Sequence, residues 1–215
     1  MTKQAISHSG SIESEIAVSN PKPLQTPLSD ERVRELRVGD RVAITGIVYT
    51  ARDAVHKHLA TGGDLPGGAD LRGGVVYHCG PVAVRGDDGR WQIVAAGPTT
   101  SFREEPYQAE IIRKFGLRAV IGKGGMGSKT LEALRQYGCV YLHAVGGAAQ
   151  VLAECVTAVQ GVWFLDEFGA PEAMWKLVVK NFPAVVTMDA NGNSLHELIR
   201  ASSQTELARA LSNSA

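Results

Sequence analysis

Between residues 106 and 188, short apolar runs alternate with amphipathic segments, and this rhythm restricts the fold more than any other property of the chain. Arg118–Ile121, Cys139–Ala144, Val162–Leu165 and Ala184–Met188 have the length and β-branched content of strands. Residues 106–115, Ser128–Tyr137 and Ala148–Val159 carry apolar residues at helical spacing, with Gly138 stopping the second of them. Strands separated by helices pair in parallel, because the crossover returns the chain to the same edge of the sheet. The part before residue 106 reads differently. After the Val38-Gly39-Asp40 turn come a strand at Arg41–Tyr49, a helix over 52–60 and the glycine-rich loop Thr61–Gly74. Val75–Val82 and Trp91–Ala96 read as an antiparallel pair joined by Gly86-Asp87-Asp88-Gly89. The expected architecture is α/β, a mixed sheet flanked by helices, over residues 29–201. Residues 1–28, rich in Ser, Pro, Gln and Thr, read as a flexible N-terminal segment, and 202–215 as a C-terminal tail or loose helix.

The charge balance removes whole classes of function. Lys and Arg total 22, as do Asp and Glu, so nothing draws the chain in bulk to nucleic acid or an anionic membrane. No charged start precedes an apolar run at the N-terminus, and no stretch reaches ~18 apolar residues, so a soluble cytoplasmic protein is expected. Cys79, Cys139 and Cys155 form no CxxC pair and read as reduced thiols, which leaves no zinc or cluster ligand set in this chain. Glycine is abundant, 24 in 215 residues, and points to tight turns or backbone close to a ligand.

Gly122-Lys123-Gly124-Gly125-Met126-Gly127 follows a strand, opens a helix and matches GxGxxG. A dinucleotide site also needs an acid at the end of the next strand, but that strand ends His143-Ala144-Val145-Gly146. A P-loop fails as well, because Ser128 puts Lys129-Thr130 out of register. What remains is an anion site of backbone N–H groups at a helix N-terminus, around Gly122, Gly124 and Gly125, with Lys123 adding a full charge. Two further cations follow strand ends. Arg52 lies just beyond the strand at Arg41–Tyr49, and Arg103 lies beyond Gly97-Pro98-Thr99-Thr100-Ser101. One of those three hydroxyls can face a ligand while another caps the next turn. His56 and His58 project about 200° apart on a helix and cannot share a metal, so these and His78 read as structural or solvated.

Thr50–Ala54, Tyr77–Val82, Gly97–Ser101 with Arg103, Ile121–Gly127, Ala144–Ala149, Glu167-Phe168-Gly169 and Phe182–Val185 occur in that order. Together they resemble the β subunit, or C-terminal domain, of class I fumarases and L-tartrate dehydratases over about residues 30–200. The resemblance implies a swivelling β/β/α domain that works with a separate α subunit, as a heterodimer or α2β2. Three cysteines of that partner would hold a [4Fe–4S] cluster with one iron open to substrate. By motif position, the family's substrate-binding residues fall on Arg52, Thr99, Arg103 and Lys123, with Thr99 as the proton-transfer residue. Three cations suit a C4 dicarboxylate, since arginine grips a carboxylate bidentately and fixed charge stabilises the anion that builds up when a neighbouring proton leaves. The Ala144–Ala149 run looks like the fumarase version and Glu167–Trp175 like the tartrate version. Hydration of fumarate to L-malate is the favoured expectation, dehydration of L-tartrate the alternative. A non-catalytic dicarboxylate-binding module and a nucleotide-binding enzyme are the competing classes.

Overall fold

The computed structural model describes residues 20–212. The chain opens with β1 (Lys22–Gln25), α1 (Asp30–Arg34), β2 (Arg41–Thr50) and α2 (Asp53–Ala60). β3 (Val75–Tyr77) precedes a hairpin of β4 (Val82–Arg85) and β5 (Trp91–Ala95), a 3-10 turn over Ser101–Glu104, and α3 (Glu105–Phe115). The alternation continues through β6 (Ala119–Gly122), α4 (Ser128–Tyr137), β7 (Val140–His143) and α5 (Ala149–Glu154). β8 (Val156–Trp163), α6 (Leu165–Phe168), the long β9 (Met174–Met188) and α7 (Leu195–Ser212) complete it.

β2, β3, β6 and β7 are parallel neighbours in that order, and β9 runs antiparallel to β7, β8 and β2. Because β9 pairs with both β7 and β2, the strands β2, β3, β6, β7 and β9 close into a ring. Side chains alternate across a strand, and here that alternation separates two cores. Val75, Tyr77, Ala119, Ile121, Val140 and Leu142 join one cluster, to which the hairpin and α5 add Ile93 and Leu152. Val76, Val120 and Tyr141 face the other way, against Val55 of α2, Ile111 and Ile112 of α3, and Leu134 of α4. Each such buried aliphatic side chain contributes roughly 1.5–3 kcal/mol. The layers are thus hairpin, mixed sheet and helices, the α/β architecture expected.

Four elements depart from the sequence reading. Lys22–Gln25, inside the segment read as flexible, pairs in parallel with Val42–Thr45 and buries Leu24. An apolar residue between prolines was enough to seat this edge strand; residues 1–19 lie outside those described. The strand expected over Val75–Val82 stops at Tyr77, since Gly80 and Pro81 break the ladder and Val82 starts the hairpin. The helix expected over Ala148–Val159 ends at Glu154, and the β-branched Val156, Thr157, Val159 and Val162 form β8 instead. Finally, β9 begins at Met174, ten residues before the strand read at Ala184.

Candidate functional site

The C-terminal ends of β2, β3 and β6 lie side by side, so the residues just beyond them share one edge of the sheet. Arg52 follows β2, His78 follows β3 and Lys123 follows β6. Backbone bonds lay the Gly97–Ser101 turn across this edge. Thr99 N–H donates to His78 O at 2.7 Å, Lys123 N–H to Thr99 O at 3.2 Å, and Ser101 N–H to Lys123 O at 3.0 Å. All four residues expected to touch substrate therefore come from one edge, where ligands bind in α/β sheets.

Each arginine already has a partner. Arg52 pairs with Glu172 at 3.2 Å and Arg103 with Asp53 at 2.5 Å. Asp53 is the residue after Arg52, and both arginines lie near enough to Glu104 to act on its carboxyl. Glu172 also accepts from Ala54 N–H at 3.0 Å, capping α2, whose N-cap Arg52 offers no side-chain acceptor. Among the described residues the Thr99 hydroxyl and the Lys123 ammonium make no hydrogen bond or ion pair. Phe102, between the turn and Arg103, is 62% exposed. A cavity of about 730 Å³ lies at the opposite end, where Arg72 and Arg118 precede β3 and β6.

A buried polar chain sets the spacing of these parts. His56 Nδ1 lies 3.0 Å from the Arg52 carbonyl, and Gln108 bridges His56 Nε2 at 3.0 Å and His78 Nε2 at 2.8 Å. His78 Nδ1 meets Ser101 Oγ at 2.9 Å, and Tyr141 Oη donates to Ser101 Oγ at 2.8 Å. Burial holds both imidazoles below their usual range, His78 further because His56 lies beside it. A neutral His56 that donates from Nδ1 to a carbonyl has only a lone pair on Nε2. Turning the Gln108 amide over places its NH2 between two neutral rings and removes the buried Nε2 donor that otherwise lacks a partner. Gly122 leaves room for this chain, since a Cβ there would stand 1.8 Å from Ser101 Oγ. His56 and His78 are both buried in this polar chain and tie the Arg52 turn to the Thr99–Arg103 turn.

One expectation is narrowed and another corrected. Part of the helix N-terminus is filled from within, since the Glu105 carboxylate accepts from Gly127 N–H at 2.8 Å, Thr130 N–H at 3.2 Å and Thr130 Oγ at 2.7 Å, bonds that fall beyond Gly122, Gly124 and Gly125. Gly124 and Gly125 turn at φ of 82° and 78°, leaving Lys123 as the charge available to a ligand. None of the hydroxyls at 99–101 caps the next turn by its side chain, and Ser101 is buried in the polar chain instead.

Glu104 escaped the sequence reading. It is fully buried, neither carboxyl oxygen has a hydrogen-bond partner among the described residues, and Oε2 lies 3.7 Å from His56 Nδ1. Burial, with Asp53 nearby, pushes its carboxyl up to about 8. Only the acid pair before Pro106 hinted at it in the sequence. Burial also raises the thiols, Cys79 to about 12 and Cys139 further, and neither is a ready metal ligand. Among the described residues no three His, Cys, Asp or Glu side chains gather as a metal site.

The fold and site define an α/β domain that presents two arginines, a lysine and a threonine at the ends of parallel strands. Residues 5–199 match the family described as Fumarase C-terminus, and the chain belongs to that family. A Geobacillus stearothermophilus protein provisionally named fumarate hydratase class I is 59% identical over 186 residues, covering 86% of this chain and 35% of its own length. The L(+)-tartrate dehydratase subunit beta of Escherichia coli K12 is 37% identical over 81% of this chain and 86% of its own. A Methanocaldococcus jannaschii protein provisionally given that same subunit name is 43% identical over 79% and 88%. The chain thus spans about a third of the first relative and most of the other two.

Proposed function

We propose that the chain is the β subunit of a hydro-lyase that adds water to, or removes it from, a C4 dicarboxylate, with fumarate and L-malate as the favoured pair. The observation that carries this reading is the meeting of Arg52, Thr99, Arg103 and Lys123 on one sheet edge. Lys123 and the two arginines neutralise the substrate carboxylates, the arginines by turning donors not used by Asp53 and Glu172 toward them. Thr99, with a free hydroxyl beside Lys123, moves the proton at the carbon next to a carboxylate, and the cations stabilise the charge that develops there. Relatives under the name subunit beta support a separate α subunit. We assign the [4Fe–4S] cluster to that partner's cysteines; in support, Cys79 and Cys139 are buried with raised thiols, and no three such ligands gather among the described residues. Among the described residues no helix is long and apolar enough to cross a membrane, and the three free thiols suit the reducing cytoplasm.

Fumarate is favoured over tartrate on two grounds. The relative named for fumarate hydratase is the more identical, 59% against 43% and 37%. A Cβ built on Gly146 would stand 3.6 Å from the Lys123 side chain, so the small residues of the Ala144–Ala149 run lie beside that cation, and such a lining suits malate better than a substrate with a second hydroxyl. The test is anaerobic co-expression with the α subunit followed by kcat/KM for L-malate and L-tartrate. The complex is expected to turn over malate in preference, and the isolated chain neither. A tenfold preference for tartrate reassigns the substrate; turnover by the isolated chain overturns the shared site.

A further inference from the structure

Glu104 is the most unusual side chain near the proposed site. A carboxylate hidden from water needs donors, and neither of its oxygens has one. The charged groups around it are Arg52 and Asp53 at the start of α2, Arg103 on its own turn, and Glu172 from the loop before β9. Each arginine is already answered by one carboxylate, and among the described residues none of their donors bonds Glu104, the buried Arg52 Nε included. The remaining neighbour, His56, spends its Nδ1 proton on the Arg52 carbonyl.

We propose that Glu104 is held as a neutral carboxylic acid beneath the arginine pair, and that its proton is required for the dicarboxylate to bind. The inference rests on the hydro-lyase reading and adds a positioning residue to it. With Glu104 neutral, Arg52 and Arg103 balance Asp53 and Glu172, and Lys123 leaves the site one positive charge for an incoming dianion. With Glu104 ionised that surplus disappears, and the new charge lies beside the arginines that must reach for substrate. A bound dianion in turn makes the Glu104 proton harder to remove, so binding and protonation support each other. The upward shift of this carboxyl through burial agrees.

The experiment is KM for the turned-over dicarboxylate against pH on the assembled enzyme, wild type and Glu104→Gln, from pH 6.5 to 9.5. Wild-type KM is expected to rise toward tenfold per pH unit above the ionisation of Glu104, while Glu104→Gln, permanently neutral, stays level. An equal rise in both overturns the inference and leaves the hydro-lyase reading intact. Failure of the wild type to bind any dicarboxylate sinks that reading, and the binding half of the inference with it. Infrared difference spectroscopy, wild type minus variant at pH 7, reads the protonation directly. A protonated-carboxyl stretch is expected; a carboxylate band, as from an imidazolium–carboxylate pair with His56, overturns it. Should the variant fail to assemble, inhibition of the wild type by succinate decides: its inhibition constant must climb with the same one-proton slope, and a constant value is fatal.

Discussion

Arg103 and Thr99 carry different parts of the proposed chemistry, and single substitutions separate them. Arg103 is half-exposed and tied to Asp53, so it has donors left to turn toward a substrate carboxylate. Arg103→Ala is expected to lower kcat/KM of the assembled enzyme by about 3 kcal/mol of transition-state stabilisation, over 100-fold. Arg103→Lys should recover little, because an ammonium cannot hold Asp53 and a planar carboxylate in the same fork. A near-normal kcat/KM in either variant removes Arg103 from the site. Among the described residues the Thr99 hydroxyl has no partner, and Thr99→Val keeps its shape while deleting the oxygen. If it moves the proton, kcat falls about 100-fold with KM nearly constant, and exchange of the substrate C–H with solvent deuterium slows in parallel. Unchanged exchange would clear Thr99 of that role and leave it orienting substrate, in which case KM rises instead.

At the level of elements, α4 shows how a motif can be read in the right place with one occupant missed. The Gly122–Gly127 turn does aim N–H groups from a helix N-terminus, but Glu105, 22 positions upstream of Gly127, takes the Gly127 N–H. Glu105→Ala should therefore destabilise the chain by about 2 kcal/mol in denaturant unfolding, since a cap, its charge and the Thr130 hydroxyl bond vanish together. Glu105→Gln keeps an acceptor and should lose about half as much; equal losses would show that charge alone matters. Legibility followed sequence distance throughout. Strands and helices whose signal is local, such as Ser128–Tyr137 and Arg41–Thr50, were readable within a residue or so. So were Arg52, Thr99, Arg103 and Lys123 as polar groups at element ends. The first half of β9 was hidden because Asn181, at φ 52°, and Pro183 interrupt its alternation, yet Pro183 sits opposite Ala43 in the continuing ladder. The polar chain was out of reach for another reason. Gln108, His78, Ser101 and Tyr141 are brought together over separations of 23 to 40 residues by the sheet itself, with no local spacing to betray them.

For the molecule as a whole, the buried ionisable groups give its stability a pH dependence of definite sign. His56 and His78 are depressed by burial below their ordinary 6.5. Their contribution is full above 6.5 and is lost as pH falls, because the unfolded chain takes up protons that the fold refuses. Glu104 acts in the opposite sense. Its carboxyl rises from the ordinary 4.5 to about 8, so its contribution is full below 4.5 and is lost as pH climbs toward 8. The unfolded chain's histidines are half protonated at pH 6.5 and the gain is nearly complete about one unit higher, and from there to pH 8 Glu104 alone among these groups sets the slope. Between pH 6.5 and 8 the Glu104 contribution falls by about 1.5 kcal/mol, which in a domain of this size lowers Tm by about 4 °C relative to a chain without that carboxyl. In Glu104→Gln this loss should be absent, so the two Tm curves diverge as pH rises and the variant is the more stable at pH 8. Below pH 6.5 both should fall as the unfolded chain's histidines take up protons, the wild type less steeply, because it is still regaining the Glu104 contribution on the way down to 4.5. Thermal unfolding of wild type and variant at half-unit steps from pH 5 to 9 provides the comparison. Curves that stay parallel above pH 6.5 would mean that Glu104 is already ionised in the folded chain, with a counter-ion strong enough to hold it so.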